Sequence, residues 1–298
     1  MTARNPTTFI AGAGPVATAL AGALRLGGVP VLGLWARRAA PARAAGSTAG
    51  VAAFSSAPPD LLLETEVVIL AVRDQAVTEV AQMLLGTGLI NKRHVLLHCA
   101  GAASAKELLG PVAGQVAGIA TLHPLSAIAD GKLAMRALRG TVFGVEGDEV
   151  GRATAAKLVG AMSGVVLALD SSQMAAYHAA AALASNYLVA VIDAAAAVLS
   201  SAGVAADRAA QALVPLAEGA LRNIAAHGTT GGLTGPVRRG DVATVTRHLE
   251  SMRDRPDLAE IYRVLARRAV EIAARIDGRD APDRASLEGI RSLLGPIG

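Results

Sequence analysis

Six residues near the start of the chain have the types and spacing of a phosphate-binding turn: Gly12-Ala13-Gly14-Pro15-Val16-Ala17. They follow a β-prone run at residues 7–11 and lead into an Ala- and Leu-rich helical stretch. Gly12 lets the chain turn sharply, Gly14 lets a pyrophosphate approach the backbone, and Ala17 lets the helix pack close to the sheet. The free N–H groups at the start of the helix then bind the phosphates. The pattern predicts a dinucleotide site formed by Gly12, Gly14, Pro15, Val16 and Ala17.

The end of the second predicted strand, residues 29–35, indicates which dinucleotide is bound. NAD enzymes usually place an Asp or Glu about 20 residues after the glycines, where it binds the ribose hydroxyls. This chain has Ala36-Arg37-Arg38 there and no acid. Because guanidinium groups are permanently charged forks of donors, Arg37 and Arg38 suit a 2′-phosphate. The sequence therefore favours NADP(H) and leaves NAD(H) as the other cofactor; alternatively, the two arginines form the solvated start of the next helix.

The ends of two further predicted strands are expected to contact the same cofactor. In a doubly wound sheet, ligands bind beyond the carboxyl ends of the strands. The strands predicted at residues 67–72 and 94–99 end there, and the second leads into small residues. Because Gly101 has no side chain, it would let a nicotinamide lie close to the backbone. We expect cofactor contacts from Val72, Arg73, Cys99, Ala100 and Gly101.

Two polar side chains near these strand ends are candidates for binding a substrate. Ser104 either binds substrate or serves as the N-cap of a helix that begins at Ala105. His123 follows the strand predicted at residues 118–122 and precedes a proline, so its backbone is constrained and non-helical. Its side chain either contacts a ligand or makes a structural hydrogen bond.

A single long helix, predicted from about residue 173 to 202, carries polar side chains on an apolar background. His178 and Asn186 are eight residues apart, which corresponds to about 80° of rotation, so both can face one cleft. Histidine suits general acid catalysis because its side chain ordinarily titrates near neutral pH. We therefore regard His178 and Asn186 as candidate catalytic residues. The alternative is a satisfied polar seam between helices or subunits.

A Gly- and Pro-rich loop predicted at residues 228–236 supplies a third group of candidates. Thr234 and Arg239 have the chemistry to bind a carboxylate or a phosphate. Asp241 suits the N-cap of the helix that follows. The alternative interpretation, a plain junction between a loop and a helix, is stronger for Asp241 than for Arg239.

The composition and the hydrophobic pattern predict an α/β fold. The chain has 298 residues, of which 52% are hydrophobic and only 2% aromatic, so its core must be built from Ala, Val, Leu and Ile. Short continuous apolar runs alternate with helical stretches in the first half, which is typical of a mainly parallel sheet covered on both faces. We predict a doubly wound Rossmann sheet in residues 1–169 and an all-α domain in residues 170–298. Further strands are expected at residues 118–122, 141–145 and 164–168.

Other features of the sequence exclude several classes of function. The single Cys99 rules out an intrachain disulfide and fits a reducing cytoplasm, and no zinc-ligand spacing is present. The net charge of +4, with scattered Lys and Arg, indicates a small anionic ligand rather than nucleic acid. No signal-peptide core precedes the glycine turn, and polar residues interrupt the apolar stretch at 174–202, which is expected to be a buried helix. We expect a cytoplasmic protein that binds no metal, nucleic acid or membrane.

These motifs together resemble a known group of proteins. The N-terminal half resembles the Rossmann-like half of pyrroline-5-carboxylate reductase, prephenate dehydrogenase and 6-phosphogluconate dehydrogenase relatives. The C-terminal half resembles a helical domain of unknown function that is joined to it in one family. The resemblance is carried by residues 12–17, 69–74 (Ile-Leu-Ala-Val-Arg-Asp), 98–102 (His-Cys-Ala-Gly-Ala), 122–125 (Leu-His-Pro-Leu), 177–181 (Tyr-His-Ala-Ala-Ala), 185–188 (Ser-Asn-Tyr-Leu), 233–236 (Leu-Thr-Gly-Pro) and 239–241 (Arg-Gly-Asp).

The resemblance implies an NAD(P)-dependent oxidoreductase with a 6-phosphogluconate-dehydrogenase-like helical domain, usually a homodimer through that domain. Relatives such as ketopantoate reductase use a Lys on the equivalent helix as general acid, with an Asn one or two turns later; here His178 and Asn186 would take these places. The implied reaction reduces a small carboxylate-bearing carbonyl, such as a 2-oxo acid, or an imine, with Thr234 and Arg239 holding the carboxylate. Because the Lys is missing, an NADP(H)-binding regulatory or scaffold protein without turnover is the alternative.

Overall fold

The chain divides into two compact units. A computed structural model describes residues 4–278 and 281–296. The first unit ends at Ser185 and the second begins at Asn186. The sequence-based boundary at residue 169 therefore falls earlier than the structural one, because the segment that follows the last strand packs with the first unit.

The first unit contains an eight-stranded sheet, which confirms the predicted α/β class. The strand order is β3-β2-β1-β4-β5-β6-β7-β8, and every neighbouring pair is parallel except β6 and β7. The parallel part places the carboxyl ends of β1, β2, β4 and β5 at one edge. The strands are β1 (Thr8–Ala11), β2 (Val31–Ala36), β3 (Ala53–Ser55), β4 (Val67–Leu70), β5 (Val95–His98), β6 (Gly118–Pro124), β7 (Val142–Gly147) and β8 (Val165–Ala168).

Helices cover both faces of this sheet, as the continuous apolar strands require. Successive side chains of a strand point to opposite faces, and β1 shows the consequence. Ile10 joins one core cluster with the helices α1, α2 and α6, whereas Phe9 and Ala11 join the other with α3 and α4. The helices of the first unit are α1 (Pro15–Leu26), α2 (Ala39–Ala49), α3 (Val77–Gly86), α4 (Ala105–Ala113), α5 (Gly131–Ala137), α6 (Glu149–Ala161) and α7 (Met174–Ala184).

The predicted single helix over residues 173–202 is wrong. The backbone leaves helical geometry at Ser185, where φ is −124° and ψ is −73°, so α7 ends at Ala184. A separate helix, α8, spans Asn186–Ser201. The 80° rotation between His178 and Asn186 assumed a continuous helix, and that argument therefore no longer holds.

The expectation that this apolar segment is buried is also wrong for the single chain. Leu183 of α7 is 65% exposed, and Val189 of α8 is 71% exposed. By length and composition alone, Ser171–Ser201 is apolar enough to cross a membrane, with a mean hydropathy of 1.8. One such segment is weak evidence, since helices of soluble proteins pass the same test.

The described part of the second unit is helical. The predicted loop at residues 228–236 is mostly helix: α9 runs through a kink at Gly228, where φ is +68°, and α10 follows directly. A small core of Val245, Val270 and Ile290 joins α11, α12 and α13. After α8 the helices are α9 (Ala206–Gly232), α10 (Gly235–Arg238), α11 (Val242–Ser251), α12 (Pro256–Ala273) and α13 (Arg284–Leu294).

Asp148 connects the antiparallel part of the sheet to α6. Its Oδ1 accepts a hydrogen bond from Gly151 N at 2.7 Å, and its Oδ2 accepts one from Ile119 N of β6 at 2.8 Å. Asp130, the N-cap of α5, bonds only to the local Lys132 and Leu133 amides. Asp148 therefore joins two distant segments of the chain, whereas Asp130 only caps a helix.

We expect Asp148→Ala to lower the free energy of unfolding by about 2–3 kcal/mol, because it removes a cap and leaves the Ile119 amide without its partner. Asp130→Ala is the matched control and should cost about 1 kcal/mol. Urea denaturation of both variants measures the difference. Equal losses would show that the Ile119 bond contributes nothing beyond the cap.

Candidate functional site

A large cavity lies at the carboxyl ends of β1, β2, β4 and β5 in the first unit. Its volume is about 1130 Å³, which is slightly above the usual range of small-molecule and cofactor sites. The cavity is where ligands bind in open α/β sheets. It is lined by Gly12, Ala13, Gly14, Pro15, Val16, Trp35, Ala36, Arg37, Arg38, Pro41, Ser56, Pro58, Ala71, Val72, Arg73, Asp74, Ala76, Glu79, Val80, Met83 and Cys99.

Most of the predicted cofactor-binding residues line this cavity. They are Gly12, Gly14, Pro15, Val16, Arg37, Arg38, Val72, Arg73 and Cys99. Ala17, Ala100 and Gly101 do not. Ala17 is buried in the core, with its Cβ 3.4 Å from where a side chain on Gly12 would begin, so it has the close-packing role expected of it.

The two glycines of the turn are required for different reasons. A Cβ on Gly12 would stand 2.1 Å from the carbonyl oxygen of Ala71, and φ of Gly12 is +141°, so only glycine fits there. A Cβ on Gly14 would meet no atom within 4 Å, and φ of Gly14 is −80°. The protein itself therefore leaves room for a side chain at Gly14, which is exposed and faces open space.

The start of α1 offers unpaired donors to this cavity. Gly14 is its N-cap and supplies no side-chain oxygen to the first turn, and Pro15 occupies the first helical position. The amides of Val16 and Ala17 thus have no capping partner. A phosphate would satisfy them, and the helix dipole would favour its negative charge.

Two positively charged side chains line the cavity at the end of β2. Arg37 and Arg38 follow β2, are exposed, and line the cavity, while Arg38 also forms the N-cap of α2. Sequence reasoning missed Ser56, which follows the neighbouring strand β3 and also lines the cavity. The indole N–H of Trp35 donates to the carbonyl oxygen of Ser56 at 3.2 Å, and Ser56 has a φ of +66°.

Cys99 lies where the cavity meets the end of β5, and its thiol stays protonated at neutral pH. Burial, with a further contribution from the charge of Asp74, raises the pKa of the Cys99 thiol to about 12. The thiolate is the nucleophilic form of cysteine. Cys99 therefore acts as a small apolar contact.

A cluster of one tyrosine and two histidines lies beside the loop that follows β5. His123 Nδ1 is 2.8 Å from Tyr177 Oη, and the ring centroids of His123 and His178 are 5.8 Å apart. Tyr177 packs against β7, since a Cβ on Gly144 would stand 2.7 Å from its hydroxyl oxygen. Sequence reasoning named both histidines and missed Tyr177, although it stands next to His178.

Two histidine rings fill the space that Gly101 leaves open. A Cβ there would stand 2.5 Å from Cδ2 of His178 and 2.7 Å from Nε2 of His123. A larger residue would therefore displace both rings. The expected contact of Gly101 with a nicotinamide stays a prediction.

The buried part of the cluster is neutral. Burial, reinforced by the nearby charge of His178, lowers the pKa of His123 to about 4. Burial also raises the pKa of the Tyr177 phenol, against a smaller opposing effect of a backbone hydrogen bond with Gly144. Above about pH 5, a neutral imidazole and a neutral phenol thus share one hydrogen bond, while the His178 side chain is exposed.

The remaining predicted site residues lie elsewhere. Ser104 is the N-cap of α4: its hydroxyl accepts from Glu107 N, and Glu107 completes a capping box. In the second unit, Asn186 begins α8, and Thr234 and Arg239 flank α10, with all three exposed. Within residues 4–278 and 281–296, no group of three or more His, Cys, Asp or Glu could hold a metal ion.

Family comparisons divide the chain in the same way as its motifs. Residues 7–100 match the family described as NADP oxidoreductase, coenzyme F420-dependent. Residues 141–269 match a domain of unknown function, DUF2520. The two matched segments correspond to the Rossmann-like part and the helical part that the motifs indicated. No match is found among curated protein sequences.

Solved structures of low sequence identity share the fold of this protein. Protein TM1727 of Thermotoga maritima is 24% identical, with a TM-score of 0.69 over 89% of this chain and 97% of that chain. A reductive aminase of Aspergillus terreus, in complex with NADPH and ethyl-5-oxohexanoate, is 19% identical, with a TM-score of 0.60 over 95% and 98%. A pyrroline-5-carboxylate reductase of Coxiella burnetii is 17% identical, with a TM-score of 0.60 over 90% and 99%.

The two glycines provide a matched pair of variants. We expect Gly14→Ala to keep the stability within about 1 kcal/mol, since alanine replaces glycine at an N-cap with normal φ, and to weaken NADPH binding at least about tenfold, since the methyl group blocks the pyrophosphate. Gly12→Ala should instead lower the free energy of unfolding by at least about 2 kcal/mol.

Fluorescence titration with NADPH and urea denaturation measure the two effects. Normal NADPH binding by Gly14→Ala would contradict the assignment of this turn to the pyrophosphate.

Proposed function

We propose that this oxidoreductase-family protein is an NADPH-preferring reductase of small carbonyl compounds or imines that carry a carboxylate. One observation carries the proposal: a phosphate-type turn and two arginines line one cavity, and a histidine–tyrosine cluster lies beside the loop after β5, whose first residue, Cys99, lines the same cavity. The open space above Gly14 supports the fit of a dinucleotide there. When bound, the cofactor supplies the hydride.

The preference for NADPH rests on the end of β2. The segment Ala36-Arg37-Arg38 holds two guanidinium groups and no carboxylate, so it suits a 2′-phosphate better than a free ribose hydroxyl. No ion pair found among residues 4–278 and 281–296 uses either arginine. Both groups are thus available to an anionic ligand, and the NADPH bound to the Aspergillus aminase supports the same cofactor.

His178 is the proton donor in this proposal. Of the histidines near the loop after β5, His98 and His123 have pKa values lowered to about 4 by burial, so neither holds a proton to give at neutral pH. The side chain of His178, in contrast, is exposed to solvent. The hydrogen-bonded pair of Tyr177 and His123 fixes the ring against which His178 packs.

The substrate is held by groups that the family resemblance points to. Asn186 would polarise the carbonyl oxygen or imine nitrogen, and Thr234 with Arg239 would bind the carboxylate. The supporting observation is their chemistry: Thr234 and Arg239 are exposed at the two ends of α10 and offer a hydroxyl and a guanidinium. A 2-oxo acid or a cyclic imine meets these requirements.

The second unit favours a homodimer. Large apolar side chains are exposed on α8 and α9, among them Tyr187, Val189 and Leu216. Such contiguous apolar surface usually marks an interface. We propose that a second copy of the chain covers it.

The first test is a fluorescence titration with NADPH and NADH. We expect NADPH to bind more tightly, and the double variant Arg37→Gln/Arg38→Gln to weaken NADPH about a hundredfold to ten-thousandfold with little effect on NADH, since each of the two lost charged hydrogen bonds costs about 1.5–3 kcal/mol. Arg43→Gln is the matched control, because Arg43 is exposed on α2 and lies outside the cavity lining.

The outcomes of this titration separate the proposals. If neither cofactor binds, the protein is no reductase. Tight NADPH binding without oxidation by any 2-oxo acid or cyclic imine would favour a cofactor-binding regulator.

The second test addresses the proton donor. We expect His178→Ala to lower kcat by about 10²–10⁴, the usual contribution of a general acid, and Tyr177→Phe to lower it by about tenfold, because it removes only the hydrogen bond to His123. His227→Ala, an exposed histidine on α9, is the control. Steady-state kinetics measure all three variants, and near-normal turnover by His178→Ala would remove His178 from the mechanism.

A further inference from the structure

Glu146 is a buried carboxylate that the proposed reaction does not use. It lies on β7 with 6% of its surface exposed. None of the ion pairs found among residues 4–278 and 281–296 includes it. Its Oε2 accepts a hydrogen bond from Ala105 N, the first residue of α4, at 2.7 Å, and one from the Thr121 hydroxyl at 3.4 Å. Buried charges are rare unless they have such partners, so this side chain needs an explanation.

The hydrogen bonds continue from Thr121 to the loop after β5. The Thr121 oxygen is 3.1 Å from Nε2 of His98, and Ala100 N donates to Nδ1 of His98 at 3.2 Å. Because a backbone N–H can only donate, Nδ1 must be an acceptor, and the proton of the neutral ring lies on Nε2. His98 then donates to Thr121, and Thr121 donates to Glu146. Every proton in the chain is assigned, with the carboxylate as the final acceptor.

This chain of bonds holds both ends of one loop. It begins at the Ala100 amide, between Cys99, which lines the cavity, and Gly101, which lies under the rings of His123 and His178. It ends at the Ala105 amide, where the loop enters α4. Burial lowers the pKa of His98 to about 4, with smaller opposing and reinforcing effects from the Ser104 backbone and His123. The ring therefore stays neutral, as an acceptor at Nδ1 requires.

We propose that His98, Thr121 and Glu146 are positioning residues that fix the backbone of residues 99–101 for the nicotinamide half of the cofactor and for His178. The proposal rests on the function proposed above. The proposal predicts that loss of the network affects the nicotinamide half of the cofactor and not the adenosine half. The adenosine half would meet the turn after β1 and the arginines after β2, which the network does not touch. A side chain that only stabilised the sheet would make no such distinction.

The test uses Thr121→Val, which removes the central hydroxyl at nearly the same volume, and Thr121→Ser, which retains it. Each protein is titrated with NADPH and with adenosine 2′,5′-bisphosphate, which lacks the nicotinamide half. We expect Thr121→Val to weaken NADPH about threefold to tenfold, the effect of one lost hydrogen bond, and to leave the bisphosphate unchanged. The kcat of Thr121→Val should also fall, and Thr121→Ser should match the wild type in ligand binding and in kcat.

The results distinguish this proposal from the proposed function. If the wild type binds neither ligand, the proposed function fails and the positioning role fails with it. If the wild type binds both and Thr121→Val binds both equally well, or loses both equally, only the positioning role is overturned.

A second measurement is made on the wild type and uses a variant only to assign the signal. Nitrogen-15 NMR of histidine-labelled wild-type protein reports the ring tautomer without any cofactor. We expect one histidine, absent from the spectrum of His98→Gln, to remain neutral at pH 5.5 with its proton on Nε2. A proton on Nδ1 or a charged ring at that pH would overturn the proposal.

Discussion

The contact between Gly12 and the carbonyl of Ala71 determines the geometry of the whole nucleotide end of the molecule. There is no room for a Cβ between them, so β1 and β4 end at the same height and the chain turns away at once into α1. That turn points the uncapped amides of α1 into the space beyond the sheet. The cavity, its phosphate-type donors and the access to Arg37 and Arg38 all follow from this close approach of two backbones.

Gly101 is a second position where a Cβ would clash with neighbouring atoms. Here the missing Cβ makes room for the rings of His123 and His178, so the loop after β5 carries a chemical cluster on its surface. The loop after β5 must keep one backbone conformation if the two rings are to stay packed against Gly101. The buried hydrogen bonds from Ala100 through His98 and Thr121 to Glu146 supply that rigidity, since an unsatisfied polar group in the interior would cost more than the bond gains.

The sequence predicted those parts of the molecule that are governed by local rules. Continuous apolar runs located most of the strands, and the glycine turn located the nucleotide end of the cavity. The short strand β3 was missed because Ala53–Ser55 is too brief for any periodicity. The break at Ser185 was missed because the surrounding Ala-rich sequence has no proline or glycine to announce it. Tyr177 and Glu146 could not be assigned because their roles depend on contacts with residues far away in the chain.

Charge is distributed unevenly along the candidate site, and this distribution fits its proposed chemistry. The β2 end carries two exposed guanidiniums, whereas burial keeps His98, His123 and the Cys99 thiol neutral near β5 and β6. A site of low polarity strengthens each hydrogen bond within it and makes a stray charge costly. Of the three rings in the cluster, that of His178 is exposed, whereas those of His123 and Tyr177 are partly buried. This exposure supports the role proposed for His178 as proton donor, with the two partly buried rings packed beside it.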